Sequence, residues 1–223
     1  MNSALHDAEQ SSPTAAVPLL VGAVLLAAGA GSRLGGRPKS LLALEGVPLI
    51  RGLLAALSEA NVQDLVVVLG HHADAIETAI QGTTATVIRN PAPDDGQASS
   101  LRLGLSALGG QHDAVIVALA DQPLINGQDI NVLIDAFMHR GATQLVVPRV
   151  FGIPGNPVII DASLRDEWLA GDVNDTGRRW RERNAARVLW FDSPNLNYRV
   201  DIDTEADRVA FHENTGRALH WPT

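Results

Sequence analysis

The chain of 223 residues contains no cysteine. Disulfides, thiolate metal sites and a cysteine nucleophile are therefore excluded. No export signal is expected either. The apolar run from Ala15 to Ala30 has no Lys or Arg before it, and the only upstream charges among Asp, Glu, Lys and Arg are Asp7 and Glu9. That run is also too short and too broken by glycine to cross a bilayer. A cytoplasmic location with no membrane contact is the resulting expectation. Positive charge is in deficit: the formal net charge is −8, which argues against a general nucleic-acid role. Two local basic patches remain, the loop around Arg33 and the run Arg178-Arg179-Trp180-Arg181-Glu182-Arg183. No internal repeat or low-complexity tract interrupts the chain. What it does have is apolar residues, 46% of the total, enough to build a sizeable core.

The most informative stretch runs from Ala23 to Lys39. It opens as a short apolar run, the pattern of a buried parallel strand. It then breaks into Gly29, Gly31, Gly35 and Gly36 among small residues, with Arg33, Arg37 and, after Pro38, Lys39. Glycines let a backbone approach a ligand closely, and successive N–H groups form an anion-binding nest. A strand feeding such a basic loop suits a polyphosphate. Two better-known loops do not fit. A P-loop requires Gly-Lys-Ser/Thr where this chain has Pro38-Lys39-Ser40, and a dinucleotide fingerprint requires glycine where Leu34 stands.

Strands are expected at Asp64 to Leu69, Thr84 to Arg89, Ala114 to Leu119 and Gln144 to Val147, with a short one in Ser40 to Leu44. Helices are expected after Pro48, at Ala73 to Ile80, Ser99 to Leu108 and Gln128 to His139. This alternation predicts a doubly wound, mostly parallel α/β sheet. Beyond Phe151 the pattern is less regular: a Gly/Pro loop to Pro157, a strand at Val158 to Ile160, a helix at Leu164 to Leu169, a strand at Arg187 to Phe191, and Tyr198 to Thr204 read as a strand ending in acid. Residues 1–17 are expected to form a mobile arm, 18–125 a nucleotide-binding half, 126–215 an acceptor half and 216–223 a tail. Open α/β sheets bind ligands at the carboxyl ends of their strands. The glycine loop, Gly70, Asn90 to Gln97 and Asp121 all fall there.

Asp121, between a strand and Gln122-Pro123, is either a Mg²⁺ ligand or a turn aspartate. Asp201 and Asp203 alternate, so on a strand both face one side; Asp203 is favoured because it lies nearer the strand's end. Ser99 and Ser100 either cap a helix or bond a base edge or ribose. Thr204 and Asp207 have the spacing of a helix capping box. His71-His72 reads as loop surface rather than as a metal site.

The run Leu-Ala-Ala-Gly-x-Gly-Ser-Arg-Leu-Gly, ending in Pro38-Lys39, resembles the signature loop of nucleotidyltransferases that activate sugars, isoprenoid precursors and the molybdenum cofactor. Asp121-Gln122-Pro123, the stretch Gly96 to Arg102 and Asp201-Ile202-Asp203-Thr204 make the molybdenum cofactor cytidylyltransferases the nearest likeness. The resemblance implies a Rossmann-like nucleotidyltransferase fold. It implies transfer of CMP from CTP to the phosphate of molybdenum cofactor, with a molybdenum hydroxylase as recipient of the product. Lys39, Arg33 and Asp121 would be catalytic, and Asp121 and Asp203 would hold Mg²⁺. The nucleotide would lie against Leu26, Ala27, Ala28, Gly29, Gly31 and Ser32, with Gly70, Asn90, Gly96, Ser99 and Ser100 beyond. Ala28 stands where guanylyltransferase relatives usually have glycine, which implies CTP over GTP. Gly155, Asn156, Asp172 and Arg178 would meet the acceptor. Here the chain departs from the family, since Pro154 and Asn156 replace an arginine and a histidine, and residues are inserted between Asp172 and Gly177. The alternatives are another nucleotide or phosphorylated acceptor, such as GTP or a sugar phosphate, a non-catalytic cofactor-delivery protein, and, disfavoured by its glycine spacing, a NAD-dependent dehydrogenase.

Overall fold

The apolar runs fold as buried strands because alternate side chains have a hydrophobic layer on either side. The structure is a computed structural model that describes residues 19–172 and 177–222. The expected amino-terminal arm lies outside the described residues, as do 173–176 of the insertion. In chain order the elements are β1 (Val21–Ala27), β2 (Ala43–Leu44), β3 (Val47–Pro48), α1 (Leu49–Glu59), β4 (Asp64–Leu69), α2 (Ala73–Ala79), β5 (Thr86–Arg89), α3 (Gln97–Ala107), β6 (Ala114–Leu119) and α4 (Gly127–Met138). There follow β7 (Leu145–Val150), β8 (Ile153–Pro154), β9 (Val158–Asp161), α5 (Ala162–Ala170), α6 (Gly177–Arg183), β10 (Val188–Asp192), α7 (Glu205–Thr215) and β11 (Leu219–His220).

The main sheet has the order β10-β7-β9-β6-β1-β4-β5, with β8 beside β7. All seven residues of β1 are buried. Ala23, Leu25 and Ala27 face a core shared with α1 and α4, and Val24 and Leu26 face a second core with α3 and α5. Burial on both faces is what a central parallel strand requires. β1 runs parallel to both β4 and β6, with Leu26 opposite Val68 and Leu119. All three strands therefore end at one edge, and Ala28, Gly70 and Asp121 emerge there together. A small antiparallel sheet, β11-β2-β3, covers a third core with Ile202 and Phe211.

The doubly wound, mostly parallel sheet is as expected, with several local corrections. β9 is antiparallel to both β6 and β7. The residues after Pro38 form a 3₁₀ turn, Lys39–Leu41, before the two-residue β2. α3 begins at Gln97, so Ser99 and Ser100 sit inside its first turn rather than capping it. Residues 200–203 pair with no strand; Ile202 N–H donates to Asp121 C=O instead. The alternation survives, because Ile202 is fully buried between Asp201 and Asp203. The Thr204–Asp207 capping box is present in both directions. The expected tail returns as β11 against β2.

α3 lies close over β1 and β4 because Gly104 has no side chain. A Cβ there would press into the side chains of Val24 and Val68, whose branched χ1 leaves little freedom to yield. Gly104→Ala is expected to lower stability by about 1–3 kcal/mol, the cost of overpacking, read as a lower urea midpoint with unchanged slope. An unchanged midpoint would mean that α3 can ride higher on the sheet at no cost.

Candidate active site

The glycine loop owes its shape to Gly31, which is left-handed at φ 63° and whose carbonyl accepts from Leu34 N–H at 2.8 Å and Gly36 N–H at 3.0 Å. A side chain at Gly31 would collide with the Arg37 carbonyl. The tight turn throws Arg33 outward and returns the chain through Pro38, which is extended, into the 3₁₀ turn that begins at Lys39. Lys39 is the chain's single lysine. Its ammonium donates to Asp121 Oδ2 and, at 2.6 Å, to Asp203 Oδ1. Arg33 Nη2 donates to Asp203 Oδ2 at 2.7 Å. The three residues expected to be catalytic and the second aspartate expected to hold metal thus form one ion-paired cluster.

Burial alone would lower the pKa of Lys39, but Asp121 and Asp203 outweigh it and hold the ammonium above its ordinary value. Burial would raise Asp203, yet hydrogen bonding and charge from Lys39 and Arg33 leave it below the ordinary range. Asp201 behaves oppositely: burial, then the charges of Asp121 and Asp203, push its carboxyl up. These three carboxylates and Lys39 line a cavity of about 290 Å³ with Leu26, Ala28, Gly29, Gly96 and Ser100. Ala27 borders a small lobe of about 40 Å³ beside Lys39. The larger hollow of about 820 Å³ along α4 and β10 shares no residue with this site.

Other expected residues build the walls. Asn90 is buried, its amide donating to Ser99 and Ser100 Oγ, each at 2.9 Å, and its carbonyl accepting from Ala92 N–H. It clasps the loop after β5 to the first turn of α3 and keeps no amide hydrogen for a ligand. Gly70 is where the chain passes Ala28 and Pro93 too closely for any Cβ. Gly31 and Ser32 shape the loop without lining the cavity. At Gly155 any side chain would collide with the Tyr198 carbonyl. Asn156 lines a neighbouring cavity, and its carbonyl accepts from Gln122 Nε2 at 3.0 Å. Arg178 borders that cavity but pairs with Glu182 at 2.9 Å. Asp172 lines neither of these cavities. Asp201, expected to matter less than Asp203, is exposed and borders the same cavity; Gln122 is buried and bonds the Asn156 carbonyl. His71 and His72 tie the loops to Asp94 and Ala30.

Among the described residues no three His, Cys, Asp or Glu side chains are gathered as a ready-made metal site. The donor set nevertheless fits a hard divalent cation. Asp121 Oδ1 is buried with no hydrogen-bond partner, and Asp201 adds a carboxylate that its neighbours repel.

An open α/β sheet with a glycine-rich, lysine-bearing loop facing carboxylates across its carboxyl edge is the arrangement of a nucleotidyltransferase. Residues 23–188 match the family described as a MobA-like NTP transferase domain, and the chain belongs to that family. It is 32% identical over 170 residues, 73% of its length and 81% of the relative's, to a nicotine blue oxidoreductase of Paenarthrobacter nicotinovorans. It is 30% identical over 182 residues to the bifunctional protein GlmU of Lactococcus lactis. The match takes in 78% of this chain but spans only 38% of that relative's length. Among solved structures, a nucleotidyl transferase from Methanothermobacter superposes with a TM-score of 0.70 at 27% identity, covering 87% of this chain and 97% of the other. A Mycobacterium tuberculosis protein superposes at 0.68 with 25% identity, covering 88% and 99%, and has also been solved in complex with manganese. No helix among the described residues is long and apolar enough to cross a membrane.

The opposite shifts of the two aspartates give opposite pH behaviour. Asp201 titrates above its ordinary 3.8 when folded, so its contribution is most favourable below that pH and is lost as pH rises through the folded value. Asp201→Asn is expected to raise the urea midpoint at neutral pH, with the gain vanishing in acid. Asp203 titrates below its ordinary 3.8, so its contribution is present at neutral pH and lost as pH falls through the folded value. Asp203→Asn is expected to lower the midpoint at neutral pH and to matter less in acid. Shifts of the same sign for both variants would contradict this charge balance.

Proposed function

We propose that this nucleotidyltransferase transfers CMP from CTP to the phosphate of molybdenum cofactor, forming molybdopterin cytosine dinucleotide and pyrophosphate. The observation that carries the reading is the convergence of Lys39, Arg33, Asp121 and Asp203 at the end of β1 and β6 in a MobA-like chain. The acceptor phosphate is already an anionic nucleophile. Its oxygen attacks the α-phosphorus of CTP, the bond from that phosphorus to the bridging oxygen breaks, and pyrophosphate leaves with the electron pair. No proton need be moved, so the protein's work is positioning and charge stabilisation. Lys39 and Arg33, once turned from the carboxylates to the phosphates, offset the charge developing on the leaving group. The loop N–H groups do the same without reorganising. Asp121, Asp203 and Asp201 would hold a divalent cation, Mg²⁺ in this reading, which supplies charge neutralisation between phosphates when bound. The methyl of Ala28 narrows the cavity at the base side, which favours a pyrimidine. The proposed division of labour gives residues 18–125 to the nucleotide and 126–215 to the acceptor.

A second reading has one observation in its favour. A relative at 32% identity is named an oxidoreductase. The spacing Gly29, Gly31, Gly35 departs from the dinucleotide fingerprint. Absorbance titration with NADH separates the two.

Pyrophosphate release, measured with Mg²⁺, molybdenum cofactor and each nucleotide in turn, tests the main reading. Release with CTP and only in the presence of cofactor is the expected result; release with GTP would keep the chemistry and overturn the Ala28 argument. No release with any nucleotide despite CTP binding would favour another acceptor or a delivery role. Lys39→Ala is expected to lower turnover more than it weakens CTP binding, and equal losses would remove its transition-state role. Ala28→Gly is expected to relax CTP preference by about 1–3 kcal/mol, read as the ratio of kcat/KM for CTP and GTP.

A further inference from the structure

The glycine loop carries a third cation, Arg37, that the ion-paired cluster does not use. Its guanidinium carbon lies 4.1 Å from the centroid of the Trp221 ring. No described carboxylate pairs with Arg37, so the ring is its partner. A guanidinium over an indole face is attracted by the ring quadrupole, and indole is the best such ring among the side chains. Register puts Trp221 where it is. Leu219 and His220 of β11 pair antiparallel with Leu44 and Ala43, so the next residue runs back toward Leu42 and the turn that begins at Lys39. The contact also bears on the backbone. The Gly31 carbonyl accepts from Leu34 and Gly36 N–H, and the Arg37 carbonyl fills the space that a Cβ on Gly31 would need. Residues 31 to 37 therefore close on themselves, and holding the Arg37 side chain holds the neck of the loop.

One segment of the chain holds this loop at two points. Asp203, just before α7, takes Arg33 and Lys39, and Trp221, just after β11, takes Arg37. Between them Leu34 of the loop packs in the third core with Ile202, Phe211 and Leu219. Arg208 Nη1 donates to the Leu219 carbonyl at 2.8 Å, which ties α7 to β11. The two holds respond differently to a nucleotide. On the proposed reading, phosphates draw Lys39 and Arg33 away from Asp203, and that hold is released. The Trp221 hold rests on a neutral ring with no charge to exchange, so it persists. We propose that Trp221 is a positioning residue: through Arg37 it keeps the glycine-loop N–H groups and Lys39 aimed at the polyphosphate of the nucleotide while the Asp203 hold is released. Fixing a loop in its binding conformation strengthens binding by lowering the ordering cost. This rests on the nucleotidyltransferase reading above and adds to it a residue that acts without touching the substrate.

Inorganic tripolyphosphate with Mg²⁺ is the probe, because it engages the loop whatever the base or the acceptor. It is titrated calorimetrically into the full chain and its variants. Trp221→Leu is expected to bind it about threefold more weakly, the value of one exposed cation–π contact. Trp221→Phe, which keeps a ring face, is expected to recover most of that loss. Arg37→Met is expected to weaken binding too, and to cost less in the Trp221→Leu background, because the ring acts through the guanidinium. Equal costs of Arg37→Met in both backgrounds would mean that Arg37 acts by charge alone, and would overturn the proposal. An unaltered affinity in Trp221→Leu, or no binding by the wild type, would overturn it as well. So would a loss shared equally by Trp221→Phe and Trp221→Leu, which would mark a packing role instead. In turnover, Trp221→Leu is expected to raise the KM for CTP and leave the KM for the acceptor as it was. Failure of the cytidylyl-transfer reading shows instead as no pyrophosphate release by the wild type, while the tripolyphosphate result stands independently.

Discussion

The ammonium of Lys39, held between Asp121 and Asp203, is the interaction on which the rest of the site depends. It joins residues 82 and 164 positions apart: the glycine loop, the end of β6 and the segment leading into α7. Without it, three carboxylates would meet at one sheet edge with Arg33 and Arg199 left to offset them, and the raised Asp201 carboxyl shows that repulsion persists even so. Isolated surface ion pairs add little to stability, but this ammonium is half-withdrawn from solvent and pairs twice. The arrangement is also poised for exchange. Whatever anion draws Lys39 away releases a carboxylate, and whatever cation binds the carboxylates releases an ammonium. Opposite charges of a metal–nucleotide pair match both sides of that exchange.

The fold delivers these groups by simple means. β1, β4 and β6 are parallel and in register, so their ends coincide. The loop after β1 then needs glycines to pass Ala28 against Gly70 and to fold around Gly31. β9 inserts antiparallel between β6 and β7, which brings Asn156 beside Gln122 just past the end of β6. α5 and α6, hung on that inserted strand, close the neighbouring cavity against α3. On the proposed reading, the nucleotide side is built by parallel strand ends and the acceptor side by the irregular half.

How far the sequence disclosed this follows from which interactions are local. The runs Asp64 to Leu69 and Ala114 to Leu119 are legible as buried strands because hydrophobic burial is written residue by residue, and Asp121 follows as the residue at a strand's end. The capping box at Thr204 is legible for the same reason. The direction of β9 is not, because a four-residue apolar strand pairs equally well either way until its neighbours are fixed. The 3₁₀ turn at Lys39 was hidden by the apolar residues behind it, which mimic a strand. Residues 200–203 look like a strand by alternation, yet one hydrogen bond from Ile202 to Asp121 suffices to hold them extended. The role of Asp201 depends on charges that only folding brings near. The pairing of Arg178 with Glu182 was legible in their i,i+4 spacing.

The buried polar atoms that lack partners are distributed unevenly. Asp121 Oδ1, Gln122 Oε1 and Trp168 Nε1 are three of the five such atoms among the described residues, and their residues border the two cavities or the strand end between them. A folded chain normally satisfies such groups, since leaving one unpaired costs about 1–3 kcal/mol. Lys39 and Arg33 show that the chain can satisfy charged groups here when it has the means. Unmet acceptors beside Lys39 are complementary in kind to the cation proposed there. The site is thus incomplete in the specific sense that its residual hydrogen-bonding capacity has the polarity that the proposed cation would meet.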